Sequence, residues 1–103
     1  MPHLRFRGVA DAALDAPFAA LMRTLPEAFD CPPDWISAEL VATTFLTPVA
    51  PMTEILWFER GAGTRDRVAT LVTDAFRAAG VAMTVVFVPL AKEHYYEDGR
   101  RFA

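Results

Sequence analysis

Over the first residues the polarity alternates. Leu4 and Phe6 are apolar, His3, Arg5 and Arg7 are polar, and Pro2 stands at the head. A period of two reads as a strand with one face on a core, here Pro2 to Arg7, and Gly8 ends it. The period then changes. Leu14, Phe18, Leu21, Met22, Leu25 and Phe29 recur at helical spacing, which predicts a helix from roughly Asp11 to Phe29. Pro17 fits its first turn, with Asp15 as cap. Pro26 removes a hydrogen bond to Met22 and predicts a kink or a restart. Thr24-Leu25-Pro26-Glu27 has capping-box spacing, which favours the restart.

CPPD, Cys31 to Asp34, breaks the chain before a second strand, about Trp35 to Leu46. TPVAPM is a short loop. Glu54 to Arg60, EILWFER, reads as a third strand stopped by GAG. Thr64 is placed to cap a second helix, whose stripe is Val68, Leu71, Val72, Ala75, Phe76 and Ala79. Gly80 then supplies a left-handed stop. Met83 to Leu90 is a fourth strand. The tail AKEHYYEDGRRFA is polar and aromatic, which suits a short helical turn and an extended end.

The halves echo each other: LRFRG and LWFERG each lead into a helix and then a strand. The chain therefore reads as one α+β domain, 1–103, of tandem β-α-β units. They form a four-stranded mixed sheet in two layers, with both helices on one face. The third and fourth strands are apolar on both sides, Ile55 and Trp57 against Leu56 and Phe58, Val86 and Val88 against Val85 and Phe87. Such strands are covered on both faces, yet two helices cover one. At ~25 cal/mol per Å², an uncovered apolar face forgoes many kcal/mol of burial. Self-association is the simpler remedy; a tail folded over the face is the alternative.

Composition narrows the partners. A net charge of −3 argues against nucleic acid, which asks for a basic face. With Lys92 the only lysine, nearly all basic groups are arginines, whose planar fork suits carboxylates and phosphates. A single cysteine, Cys31, excludes an internal disulfide and fits a reducing compartment. His3, Arg5 and Arg7 interrupt any signal-peptide core, and no apolar run approaches the ~20 residues of a membrane span, so the expected location is the cytoplasm. There is no CxxC, HxxxH or paired acidic motif with metal spacing, so neither a metal nor another cofactor is expected.

Three stretches resemble the tautomerase superfamily, the fold of macrophage migration inhibitory factor and oxalocrotonate tautomerase (4-OT). MPHLRF places Pro2 where that superfamily has its catalytic proline. CPPDWISAELV resembles the Pro-Pro turn and second strand of the migration inhibitory factor branch, and GRRFA its Phe-Ala terminus. The chain is also similar to a bacterial family of unknown function with this fold, which shares the MPHLRFRG opening, the LWF-acid-RG strand and the YYE-containing tail. The resemblance spans nearly the whole chain. It implies a homotrimer with three sites at subunit boundaries, each around one Pro2. It also implies pocket positions for His3 and for Tyr95 and Phe102. Cys31 stands where the better-known branch has a rim lysine, and Arg60 where it has an aliphatic residue.

The implied chemistry is proton transfer in a small 2-keto or enol acid. With Met1 removed, Pro2 is a secondary amine. A chain-terminal amine starts at ~7.7–8.0, a secondary one higher, and burial or a nearby cation pulls the value down toward a working base. A cation would also hold a substrate carboxylate and stabilise the enolate. Pro2 is thus the candidate base, Arg60 the candidate carboxylate holder, and His3, Tyr95 and Phe102 candidate substrate contacts. With Met1 retained, Pro2 is an amide without basicity. Each residue has a plainer role available. Pro2 suits a strand start, Arg60 can pair with Glu59 or Glu54 of a neighbour, and His3 can be a structural histidine. Arg5 and Arg7 can form interface ion pairs, and Tyr95, Tyr96 and Phe102 can staple the tail. A non-catalytic trimeric binding module and a ferredoxin-like dimer are the competing readings of the whole.

Overall fold

In a computed structural model that describes residues 1–102, six strands, two α-helices and three short 3-10 turns follow one another along the chain. Strand β1 (His3–Arg7) leads through a 3-10 turn (Asp11–Ala13) into α1 (Asp15–Phe29), and a second such turn (Pro33–Trp35) precedes β2 (Ser37–Val41). The second unit is β3 (Met52–Trp57), α2 (Ala62–Arg77) and β4 (Thr84–Pro89). The four strands form one sheet in the order β2-β1-β3-β4. Within each unit the strands run parallel, and β1 joins β3 antiparallel. This is the tandem β-α-β sheet that the two halves of the sequence predict. The fourth strand lies inside its expected bounds.

The register explains where the others differ. β1 runs only from His3 to Arg7, and Arg7 pairs with both Val41 and Met52. Beyond Gly8, which turns with φ +76°, β2 has no partner to pair with. So β2 stops at Val41 instead of Leu46, and its expected start at Trp35 falls in a 3-10 turn. For the same reason β3 starts at Met52 and ends at Trp57, shifted from the expected Glu54 to Arg60. Phe58, Glu59 and Arg60 lie past the strand, at the end of the sheet where β1 begins.

The helix ends also correct the sequence reading. Helix α1 runs unbroken through Pro26, without a restart, and the Thr24 hydroxyl donates back to the Ala20 carbonyl at 3.3 Å instead of capping. Pro26 still lacks the N–H that would donate to the Met22 carbonyl, a loss offset by the packing of Leu21, Leu25 and Phe29 into the core. Neither Asp15 nor Thr64 caps. Each lies inside the first turn of its helix, and neither helix has a side-chain cap. Pro17 does lie in the first turn of α1, where it is buried. Gly80, at φ +76°, closes α2 as expected.

Both helices lie on one face. Leu4, Phe6, Ile55 and Trp57 from the sheet meet Leu21, Leu25 and Phe29 of α1 and Val68, Val72 and Phe76 of α2 in one core. The opposite face has two parts. His3, Arg5, Arg7, Glu39 and Glu54 make a charged patch over β1, β2 and β3. Met52, Leu56, Val86 and Val88 make an apolar strip over β3 and β4. Val86 remains 37% exposed, so no described segment of the chain covers that strip there. The tail lies elsewhere: a 3-10 turn (Lys92–His94), then a hairpin of β5 (Tyr96–Glu97) and β6 (Arg100–Arg101). No helix among the described residues is long and apolar enough to cross a membrane.

Candidate active site

Beyond the β1 start and the β3 end lies an open cleft of about 710 Å³. Four parts of the chain build it. Met1 enters from the amino terminus, and Asp34, Trp35 and Ser37 come from the turn before β2. Phe58, Glu59 and Arg60 follow β3, and Lys92, Tyr95, Glu97 and Phe102 come from the tail. The cleft exists because β3 ends at Trp57 and its next residues swing free of the ladder toward the tail.

Phe58 is its floor. Buried itself, it stacks on Phe102 with centroids 5.0 Å apart and meets Tyr95 edge-on at 5.4 Å. Tyr95 and Phe102 also touch edge-on at 5.6 Å, and the Phe102 amide donates to the Tyr95 carbonyl at 2.9 Å. These rings fasten the tail as well as wall the cleft. The Tyr95 hydroxyl donates to Glu97 at 3.0 Å; burial first, then this bond, push its pKa above the ordinary phenol value.

Pro2 is fully buried, and its carbonyl accepts from the Ser37 amide at 3.1 Å. That bond extends the β1–β2 pairing and fixes the residue at the sheet end. Its nitrogen is joined to Met1, which lines the cleft. Arg60 lines the cleft too, but its Nη1 donates to the Phe29 carbonyl at the end of α1. Of the sequence-predicted site residues, then, Arg60, Tyr95 and Phe102 line one cleft, with Pro2 adjoining it. His3 does not line it. Alternation turns His3 to the open sheet face, where Nδ1 meets Ser37 Oγ at 2.7 Å and Nε2 donates to Glu39 at 2.9 Å. Arg5 donates to the same Glu39 oxygen at 2.8 Å, and Arg7 pairs with Glu54. Thus Arg5 and Arg7 are engaged within the subunit.

Cys31 is half-buried just past α1 and does not line the cleft. Burial raises its thiol pKa, and the nearby Arg60 and amino terminus only partly offset this, so it is no poised thiolate. Sequence reasoning missed Phe58, Trp35 and Lys92. Phe58 reads as an outward strand residue until the end of β3 is known. Trp35, 56% exposed, reads as the start of a strand. Lys92 carried one signal, its uniqueness.

The family model described as a domain of unknown function (DUF1904) matches residues 1–101. A protein of unknown function from Vibrio cholerae O1 biovar eltor is 35% identical, the match covering 98% of this chain and 87% of that one, with a TM-score of 0.90. A DUF1904 domain from Sebaldella termitidis is 36% identical over 99% of this chain and 100% of the other, at a TM-score of 0.89. A fused 4-OT, solved as an asymmetric trimer, is 12% identical over 96% and 94% of the two chains, at a TM-score of 0.78. At that identity the likeness shows the fold alone, and the fold is that of the tautomerase superfamily. No curated protein matches the chain. The Phe-Ala terminus includes Ala103, which lies outside the described residues. The match over nearly the whole chain and the two relatives above 30% identity place this protein in the DUF1904 family.

Proposed function

We propose that the protein is a tautomerase-like isomerase acting on a small 2-keto or enol acid, with Pro2 as general base once Met1 is removed. One observation carries the reading. Pro2 is buried and pinned through its carbonyl, while the residue on its nitrogen lines the cleft. Loss of Met1 therefore leaves a secondary amine directed at a cleft with aromatic walls and two cations, Arg60 and Lys92. Burial disfavours its protonated form, which suits a base working near neutrality, although Asp34, Glu59 and Glu97 in the same cleft offset the two cations. Arg60 is one candidate carboxylate holder, and Tyr95 and Phe102 pack against the substrate body. His3 enters the proposal only indirectly: through Ser37, which lines the cleft, it steadies the wall beside Pro2.

We place the site in a homotrimer in the cytoplasm. The uncovered strip of Met52, Leu56, Val86 and Val88 supports association, and the free Cys31 is compatible with a reducing compartment. The test is enol–keto conversion of phenylpyruvate by protein whose mass verifies the absence of Met1. The expected result is a rate at least about a hundredfold above that of Pro2→Ala, the usual scale for a general base. Equal rates remove the reading.

A non-catalytic trimeric module that binds a small carboxylate is the second reading. The engagement of Arg60 with the Phe29 carbonyl favours it, since one of its donors already has a backbone partner. Uniform retention of Met1 in the intact mass of native protein selects this alternative, because the amine then does not exist.

A further inference from the structure

Five charged side chains line the cleft: Asp34, Glu59, Arg60, Lys92 and Glu97. Three are engaged within the chain. Glu59 accepts from the Gly61 amide and from Arg65, each at 3.0 Å. Glu97 accepts from the Tyr95 hydroxyl. Arg60 donates to the carbonyl of Phe29, the last residue of α1, where unpaired helix carbonyls concentrate negative potential and hold a cation. Lys92 has no hydrogen-bond or ion-pair partner among the described residues. It is nonetheless positioned: its Nζ stands 5.9 Å from the centroid of the Phe58 ring, within cation–π range. Phe58 is buried and held by Tyr95 and Phe102. An uncommitted ammonium is therefore placed over a fixed aromatic floor.

The geometry points to Lys92 as the anchor for the ligand's carboxylate, with Arg60 serving as a brace that ties the end of β3 to the end of α1. This rests on the reading that the cleft takes a small carboxylate, but not on the identity of the base. A carboxylate that drew Arg60 away would leave the Phe29 carbonyl without its donor, whereas one seated on Lys92 displaces only water. Lys92, Tyr95, Glu97 and Phe102 all come from the tail, so the residues that grip the anion and the residues that dock the tail are the same short segment. Ligand recognition is thereby coupled to the docking of the tail on Phe58.

An NMR titration with phenylpyruvate tests this without turnover, on Met-free wild type, Lys92→Met, Lys92→Arg and Arg60→Met. Lys92→Met keeps an unbranched stem over Phe58 and removes only the charge. It is expected to weaken binding about tenfold, the scale of one charge-assisted hydrogen bond, with unchanged thermal stability. Lys92→Arg should restore most of the affinity. Arg60→Met should lower the melting temperature and weaken binding less than Lys92→Met does. Lys92→Met binding as tightly as wild type overturns the assignment, as does an equal or greater loss in Arg60→Met. If Pro2→Ala proves as active as wild type while Lys92→Met still binds weakly, the base falls and the anchor stands. No saturable binding to wild type overturns both.

Discussion

Glu39 sits on the open sheet face between two donors, His3 Nε2 at 2.9 Å and Arg5 Nε at 2.8 Å. The bond from His3, then that from Arg5, holds its carboxyl below the ordinary value of 4.5. The sign follows from linkage. A carboxyl lowered on folding contributes stability above its unfolded-state value, and the contribution is lost as pH falls through the folded one. We therefore expect carbon-detected NMR to show Glu39 titrating below the ordinary glutamate range, and His3→Ala to move the midpoint up. A wild-type midpoint at or above that of an unpaired glutamate contradicts the pairing. The placement of His3 was legible: alternation with Leu4 and Phe6 sets it on the face opposite the core, beside Arg5. The contact between Arg60 and Phe29 was not, because it joins residues of different units that no local pattern relates.

At the scale of elements, the two helices end in the same way. After α1 the Cys31 amide donates to the Pro26 carbonyl at 3.0 Å and Asp30 to Glu27 at 3.1 Å. After α2, Val81 donates to Phe76 and Gly80 to Arg77, each at 2.9 Å. Both are Schellman closures around one left-handed residue, Asp30 at φ 53° and Gly80 at φ 76°. The repeat seen in the strands thus extends to the caps, with one difference. A side chain at the left-handed position carries a steric cost that glycine avoids. Asp30→Gly should accordingly raise the unfolding free energy by about 0.5–1 kcal/mol, and Gly80→Ala should lower it by about 1 kcal/mol, read by urea denaturation. A Cβ on Gly80 would meet no atom within 4 Å, so any loss there reports the backbone alone. Glycine announced the end of α2 in the sequence. Phe29, the last apolar residue at helical spacing, marked the end of α1 although Asp30 stands where a glycine would announce it, and Pro26 suggested a restart that the unbroken helix does not show. Strand ends were less legible than helix ends, since a strand stops where its partner does and partners are set at a distance.

For the whole molecule the unresolved quantity is apolar area. The helix layer covers Leu4, Phe6, Ile55 and Trp57, and the tail packs on Phe58 beyond the sheet instead of crossing the strip on β3 and β4. This strip adjoins a charged patch whose groups pair within the subunit, His3 and Arg5 with Glu39 and Arg7 with Glu54, so no unpaired charge there opposes a second copy. The connection from β2 to β3 adds more apolar surface: between Glu39 and Glu54 there is no charged residue, and Leu46 is 96% exposed. Contiguous exposed apolar patches mark an interface more often than a solvated face. Val86 stands in mid-strand on that strip, opposite Glu54 in the register and pointing away from the helices. Val86→Asp thus removes no core contact, and its circular dichroism and melting should stay near wild type if measured at a concentration where the variant and wild type are both monomeric. Its effect belongs to assembly, because an aspartate buried between copies would lose its hydration without a partner, at several kcal/mol per subunit. Light scattering should accordingly give three subunits for wild type and one for Val86→Asp, with any phenylpyruvate turnover lost in parallel if the cleft is completed by a neighbour. A wild type that stays a folded single subunit at high concentration would show that the strip tolerates water, and the cleft would then have to work with the walls one chain provides.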